Sequence, residues 1–289
     1  MHPGLELRTL LQEGAVIEPF LGVYDCLSAS VAAPYSRNLF VSGFGLAASF
    51  YGLPDVGYIA WSDMVQAAWR IRQILPEHRL LVDIDDGYVD VHTACHVVRQ
   101  LDRMGAAMVM LEDQARPRRC GHVDGKIILP LEAYIHKLNA VLDARENVLV
   151  LARTDSSGED IFRRVEAISA TAADAVLVDG ITSLDLLRQV RESTQKPLLF
   201  NQIAGGKSPR LSMEQLRDAG INLVQYSTPL LFAAQAAMTA SLDTLFLNDG
   251  LLPEAGAEGS VGIKECTNML AENVPSPRQS PVKAVASRR

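Results

Sequence analysis

Residues 79–86 read Arg79-Leu80-Leu81-Val82-Asp83-Ile84-Asp85-Asp86, a short apolar run that ends in acids. Residues 107–113 repeat the pattern as Ala107-Met108-Val109-Met110-Leu111-Glu112-Asp113. Neither run alternates polar with apolar residues, as a strand with one wet face does. A strand without that alternation is buried on both faces, the habit of parallel sheets covered by helices. Six more such runs stand at 19–24, 39–42, 148–152, 175–178, 197–200 and 222–226. The segments between them carry helical periodicity. Met64, Ala68, Ile71 and Leu75 fall on one helical stripe, and Leu131, Ile135, Leu138 and Leu142 on another. Pro130 suits a helix start, Ser212 with Gln215 forms a capping box, and Gly220 offers a stop. Thr228-Pro229 is a further cap and first turn.

Eight strands alternating with helices predict an α/β fold, and eight is the number that closes a (β/α)8 TIM-type barrel. A doubly wound sheet is the alternative. It would want a glycine-rich turn of the GxGxxG type after an early strand, which the chain lacks. The barrel is expected within residues 1–247, a short C-terminal helical extension at 248–272, and a disordered basic tail at 273–289. That tail holds Arg278, Lys283, Arg288 and Arg289, three prolines and no acid.

Composition narrows the function classes. Hydrophobic residues make up 48% of the 289 and charged residues 21%, too apolar for a disordered chain. A net charge of −7 argues against a nucleic-acid partner. The most apolar segment, 229–247, is interrupted by Gln235, Thr239, Ser241 and Asp243, so it is read as a buried helix and not a membrane span. The N-terminus reads as no export signal. Four cysteines (Cys26, Cys95, Cys120, Cys266) are too few for a disulfide scaffold, which points to a reduced, cytoplasmic protein.

The C-terminal ends of barrel strands carry the chemistry. Here those ends supply Asp25; Ser42-Gly43-Phe44; Asp83, Asp85 and Asp86; Glu112 and Asp113; Arg153-Thr154-Asp155; Asp179; Asn201-Gln202; and Tyr226. Asp83 and Asp85, two apart, should face one side if the strand continues, with Glu112 reaching in from the next strand. Clustered carboxylates of this kind suit a hard cation, Mg2+ above all. Zinc is disfavoured, because Cys120 and His122 stand too close together and lack a second pair. The loop at 116–126, RPRRCGHVDGK, sets Cys120 among Arg118, Arg119, His122 and Lys126. Adjacent cations should lower the thiol pKa and suit it to acid–base work; the plain alternative is a surface loop with an incidental thiol. Gly205-Gly206-Lys207-Ser208 is no P-loop, since position 201 is Asn and Pro209 follows. Val41-Ser42-Gly43 is no nucleophile elbow, since position 40 is Phe.

Taken in order, Tyr24-Asp25-Cys26-Leu27-Ser28-Ala29, Ser42-Gly43-Phe44, Gly52-Leu53-Pro54-Asp55, Asp83-Ile84-Asp85, Leu111-Glu112-Asp113-Gln114, Arg119-Cys120-Gly121-His122, Ala152-Arg153-Thr154-Asp155 and Gly205-Gly206-Lys207 carry a resemblance. Over residues 23–232 the chain resembles the isocitrate lyase/phosphoenolpyruvate mutase superfamily, in its 2-methylisocitrate lyase-like and carboxyphosphonoenolpyruvate phosphonomutase-like branches. The resemblance implies a barrel and a homotetramer whose pairs exchange a C-terminal helix. It implies Mg2+ or Mn2+ held by Asp85, with Asp55, Asp83 and Glu112 acting largely through waters. The expected activity is metal-dependent carbon–carbon cleavage of a substituted malate or 2-methylisocitrate-type acid, giving an α-oxo acid and a second carboxylic acid.

By the same carry-over Ser42, Gly43 and Phe44 line the α-oxo acid pocket, with Tyr24 on the substrate side. Arg153 meets the developing negative charge, and Cys120 protonates the departing acid from a gating loop. His122, Asn201 and Asp179 hold that acid's carboxylate. Three positions depart from the family: Asp179 in place of Glu, Phe44 in place of a small residue, and Asp86 in place of Thr or a small residue. A carboxyphosphonoenolpyruvate-type phosphonomutase, which forms a P–C bond, is the alternative. Oxaloacetate hydrolysis or decarboxylation is a further one. A non-catalytic barrel that senses ligands through its metal site is the reading from another class.

Overall fold

A computed structural model describes residues 1–274 apart from 15, 255 and 258. The tail expected at 273–289 lies outside it from residue 275 onward. Every apolar run is a strand: β1 (Glu18–Val23), β2 (Asn38–Val41), β3 (Arg79–Asp83), β4 (Met108–Glu112), β5 (Leu149–Thr154), β6 (Ala175–Val178), β7 (Leu198–Asn201) and β8 (Leu223–Tyr226). They pair in parallel in sequence order and β8 returns to β1, closing the (β/α)8 barrel.

The helices of the outer ring begin with α1 (Pro3–Glu13), α2 (Cys26–Ala32), α3 (Gly43–Leu46) and α4 (Trp61–Ile74), with a π-turn at Ala47–Tyr51. They continue with α5 (Val91–Arg103), α6 (Leu131–Ala144), α7 (Asp160–Ser169), α8 (Leu184–Glu192) and α9 (Met213–Asp218). The capping box forms, with Ser212 and Gln215 each accepting the other's backbone N–H.

The period of two along each strand sorts the side chains. Leu80, Val82, Val109, Leu111, Val150 and Ala152 point outward into the layer between sheet and helices. Their neighbours Leu81, Met108, Met110, Leu149, Leu151, Ala175, Leu177, Leu199 and Leu223 point inward, joined by Phe20 and Phe40, and Leu7 of α1 closes the lower end. Continuing each inward set by two residues leads to Ser42, Asp83, Glu112, Arg153, Asp179, Asn201 and Gln225. The top layer of the barrel interior is therefore polar where the layers beneath are aliphatic and aromatic. The register sets Glu112 directly beside Arg153, and Asn201 beside Gln225.

One expectation fails. The segment at 229–247 is a helix, α10 (Pro229–Leu247), but none of its residues is buried. Met238, Leu242, Phe246 and Leu247 are all more than half exposed. By length and composition alone this helix could also cross a membrane. Apolarity predicts that a segment leaves water; it does not say what covers it. Beyond it stands α11 (Ile263–Ala271), within the region expected to be a short helical extension, and Asn273 reaches back to Ser30 of α2.

Candidate active site

The polar top layer encloses a cavity of about 30 Å³, lined among others by Phe40, Ser42, Phe44, Asp55, Asp83, Cys120, His122, Arg153, Asp179 and Asn201. That is room for little more than a water molecule. The loop at 116–126 contributes Cys120, Gly121 and His122 to the cavity wall. Of the residues expected at the site, Tyr24 alone points elsewhere. It lines an outer cleft of about 320 Å³ between α2, the π-turn and α4, with Leu46, Phe50 and Arg70.

On one side of the cavity the acids gather. Asp85 does not prolong β3, as its spacing from Asp83 suggested; its φ of 51° turns the chain, and its N–H binds Asp83 Oδ1 at 3.0 Å. The two carboxylates still converge. A Cβ on Gly43 would sit 3.0 Å from Asp83 and 3.2 Å from Asp85, so only glycine leaves this space open. The counter-ion is Arg118, 2% exposed. Its guanidinium binds Asp55, stands 3.2 Å from Asp85, and donates to Glu112 at 2.7 Å. With Arg118 among them, no three His, Cys, Asp or Glu side chains form a ready metal shell among the described residues. Asp85 Oδ1 is buried and accepts no hydrogen bond. Burial pushes Asp83 up, Asp85 well up, and Glu112 to about 7, against the opposing pull of Arg118 and, for Asp83 and Glu112, Arg153.

On the other side Arg153 is the hub. It binds Asp155 through Nε (2.8 Å) and Nη2 (2.9 Å), Asp179 at 2.8 Å and Glu112 at 3.4 Å. Asp179 also meets His122 Nε2 at 3.2 Å and accepts from Asn201 at 3.0 Å. Burial alone would raise Asp179, but Arg153, His122 and Asn201 hold it far below the usual carboxylate range. The Lys207 amide donates to His122 Nδ1 at 3.0 Å, which leaves Nε2 as the protonated nitrogen facing Asp179. Here the glycine pair that resembled a P-loop finds its place. A Cβ on Gly206 would lie 2.5 Å from His122 Nδ1, so that loop is a seat for the imidazole. Gly121 is equally constrained: a Cβ there would collide with Asp179 and Arg153 and reach within 2.6 Å of Asp155.

Cys120 corrects the expectation drawn from its neighbours. It is partly buried rather than solvent-facing, and burial pushes its thiol up to about 11. The surrounding cations are committed elsewhere. Arg118 serves three acids, Lys126 binds Gly121 O and Asp155, and Arg119 is exposed. Asp55 and Asp179 add to the rise.

Several residues of the site were given no role in the sequence reading. Gln114, fully buried, holds the loop by exchanging two hydrogen bonds with the Arg119 backbone. Gln225 and Ser227 form a chain that orients Asn201. The period of two past Leu223 was a signal for Gln225; Gln114 stood in the Leu111–Gln114 motif that carried the resemblance, with no role given to it.

The chain matches the profile of the family described as Phosphoenolpyruvate phosphomutase over residues 7–246. It is 32% identical to 2-methylisocitrate lyase of Aeropyrum pernix over 229 residues, 77% of this chain and 73% of that one. A solved structure of 2,3-dimethylmalate lyase, a member of the PEP mutase/isocitrate lyase superfamily, superposes with a TM-score of 0.87 at 30% identity, covering 93% of this chain and 91% of that one. A solved oxaloacetate acetylhydrolase does so with a TM-score of 0.87 at 28% identity, covering 93% of each.

Proposed function

The chain belongs to the phosphoenolpyruvate phosphomutase family, and on that premise we propose that it is a carbon–carbon lyase dependent on Mg2+ or Mn2+. Its substrate is a substituted malate of the 2-methylisocitrate type, cleaved into an α-oxo acid and a second carboxylic acid. The observation that carries this reading is one cavity lined at once by acids, a buried guanidinium and the thiol of the 116–126 loop.

The residues fit a hard cation. Every donor on that side is a carboxylate oxygen, one of them without a hydrogen bond, and Gly43 keeps the space clear. Asp85 would hold the ion, with Asp55, Asp83 and Glu112 around it. When bound, the ion supplies Lewis-acid stabilisation of the α-oxygen of the α-oxo or α-hydroxy acid. Arg118 neutralises the same oxygens in this arrangement, a role that a bound cation would take over.

In the cleavage the C2 hydroxyl proton passes to the carboxylate cluster and the O–H pair becomes the new C=O. The C2–C3 pair moves to C3 and its carboxylate, and Cys120 gives its thiol proton to C3. A thiol held near 11 is protonated at neutral pH, as a proton donor must be. Arg153 faces the charge that grows on the departing acid, and Asp179 aims His122 and Asn201 toward its carboxylate. Ser42, Gly43 and Phe44 form the α-oxo acid side, and the closed loop excludes water.

The likeness to oxaloacetate acetylhydrolase, with the same TM-score as that to the dimethylmalate lyase, supports oxaloacetate hydrolysis as the second reading. The test is a panel of 2,3-substituted malates, citrate-like acids, oxaloacetate and carboxyphosphonoenolpyruvate with Mg2+, monitored for pyruvate or glyoxylate. Release of an α-oxo acid from a malate, lost with chelator and restored by Mg2+, supports the lyase. Turnover of the phosphonate or oxaloacetate alone overturns it.

A second copy of the chain is proposed to cover α10, in a homo-oligomer up to the tetramer. Phe232 of α10 packs edge-on against Phe44 at 6.2 Å, so such an interface would border the cavity. The polar residues Gln235, Thr239, Ser241 and Asp243 suit a protein partner better than lipid. Light scattering that returns the mass of one chain would refute this. Four free cysteines favour a reducing, cytoplasmic setting.

A further inference from the structure

Asp86 follows Asp85 in sequence but takes no part in the acid cluster. Its side chain, 4% exposed, turns to Arg116 at the base of the Cys120 loop. The pairing is forked: Arg116 Nε donates to Oδ2 at 3.0 Å and Nη2 to Oδ1 at 2.8 Å. Arg116 also donates to the carbonyls of Tyr88 and Gly57, each at 3.3 Å. On the other side, the Tyr88 N–H binds Asp86 Oδ1 at 3.1 Å, holding Tyr88 at φ 68°, and Lys137 of α6 binds the Asp86 carbonyl at 2.8 Å. One carboxylate thus ties the loop to the turn after β3, while Arg116 itself spans to the chain before α4.

Neither Asp86 nor Arg116 lines the cavity. Arg118, two residues on, is buried among Asp55, Asp85 and Glu112, the acids proposed to hold the cation. The loop is therefore held at two points, an inner one on those acids and an outer one clear of them. The outer pair has a rigid, buried acceptor and a donor that is 37% exposed, so water can replace the contact without exposing a core.

We propose that the Asp86–Arg116 pair is the latch of the Cys120 loop: a positioning pair that sets how much of the time the loop stays shut, without touching substrate. Only an arginine fork fits it, since a lysine ammonium offers a point charge in place of two parallel donors.

The test reads loop opening through the thiol it covers. Iodoacetamide labelling of the Cys120 peptide is followed by mass spectrometry, with the partly buried Cys95 of α5 in the same sample as the control for changes away from the loop. Arg116→Met speeds Cys120 labelling by about tenfold, the scale of losing a forked, charge-assisted pair. The isosteric Asp86→Asn moves it the same way, Arg116→Lys falls between, and the double variant Asp86→Asn/Arg116→Met is no faster than Arg116→Met alone. Cys95 keeps its rate throughout. Wild-type labelling of Cys120 in Arg116→Met overturns the latch. Parallel acceleration of Cys95 in both Arg116→Met and Asp86→Asn overturns it too, since the pair would then be an ordinary contact of the fold. No substrate is needed, so this result is independent of whether the lyase reading holds.

Discussion

Cys120→Ser lowers kcat by about 10²–10⁴-fold, the usual worth of a positioned general acid, and leaves binding of Mg2+ and of an α-oxo acid intact. The substitution changes one atom and keeps the loop geometry, so lost turnover with retained binding separates proton donation from site assembly. The environment of the thiol sets the sign of the pH dependence. Because burial holds Cys120 near 11, its proton is present throughout pH 6–9. A fall in kcat within that range therefore belongs to another group. Thermal shifts with Mg2+ and pyruvate, beside steady-state rates, check both halves; a serine variant that turns over at the wild-type rate removes Cys120 from the chemistry.

Arg153→Met destabilises the protein by about 3–5 kcal/mol at neutral pH, as expected when a buried charge cluster loses its cation. Glu112, Asp155 and Asp179 all lean on this guanidinium, and each is at most 3–4% exposed. For a chain of this size the cost corresponds to a fall in Tm of roughly 10 °C. The penalty depends on pH with a definite sign. Asp179 is held below its unfolded value in the native state, against burial, by Arg153 first and then His122 and Asn201. Its stabilising contribution is present above the ordinary aspartate value and is lost as pH falls. The gap between wild type and Arg153→Met is therefore full at pH 7.5 and narrows only below the ordinary aspartate value, as at about pH 3. Arg153→Lys, which restores a charge without the fork, recovers part of it. Melting curves at the two pH values decide the matter: coincident wild-type and Met curves at pH 7.5 would show that the acids find another counter-ion.

The barrel was legible because its signal is local. Burial on both faces writes itself into a strand as unbroken apolar residues, as at 79–82, and the helix stripe of Leu131, Ile135, Leu138 and Leu142 is a matter of spacing alone. The polar ring at the mouth was legible for the same reason, since most of the apolar runs stop abruptly at an acid, an arginine or an amide, and the run at 39–42 at Ser42. Composition likewise predicted that 229–247 leaves water, but not that the barrel itself leaves it uncovered.

Tertiary structure alone decided which charges meet. Asp85 and Asp86 are neighbours of one type, yet one faces Arg118 in the acid cluster and the other Arg116 at the base of the loop. Tyr24 stands one residue past β1 but looks outward. The cations around Cys120 promised a lowered pKa, and the fold raised it by committing two of them to acids, among them Asp55, 63 residues away from Arg118 in sequence. Hydrophobic burial follows from each residue's own transfer from water and its spacing, which sequence records. An ion pair or a pKa shift depends on what lies a few ångströms away in space and how little water remains there, and closure of the barrel determines both.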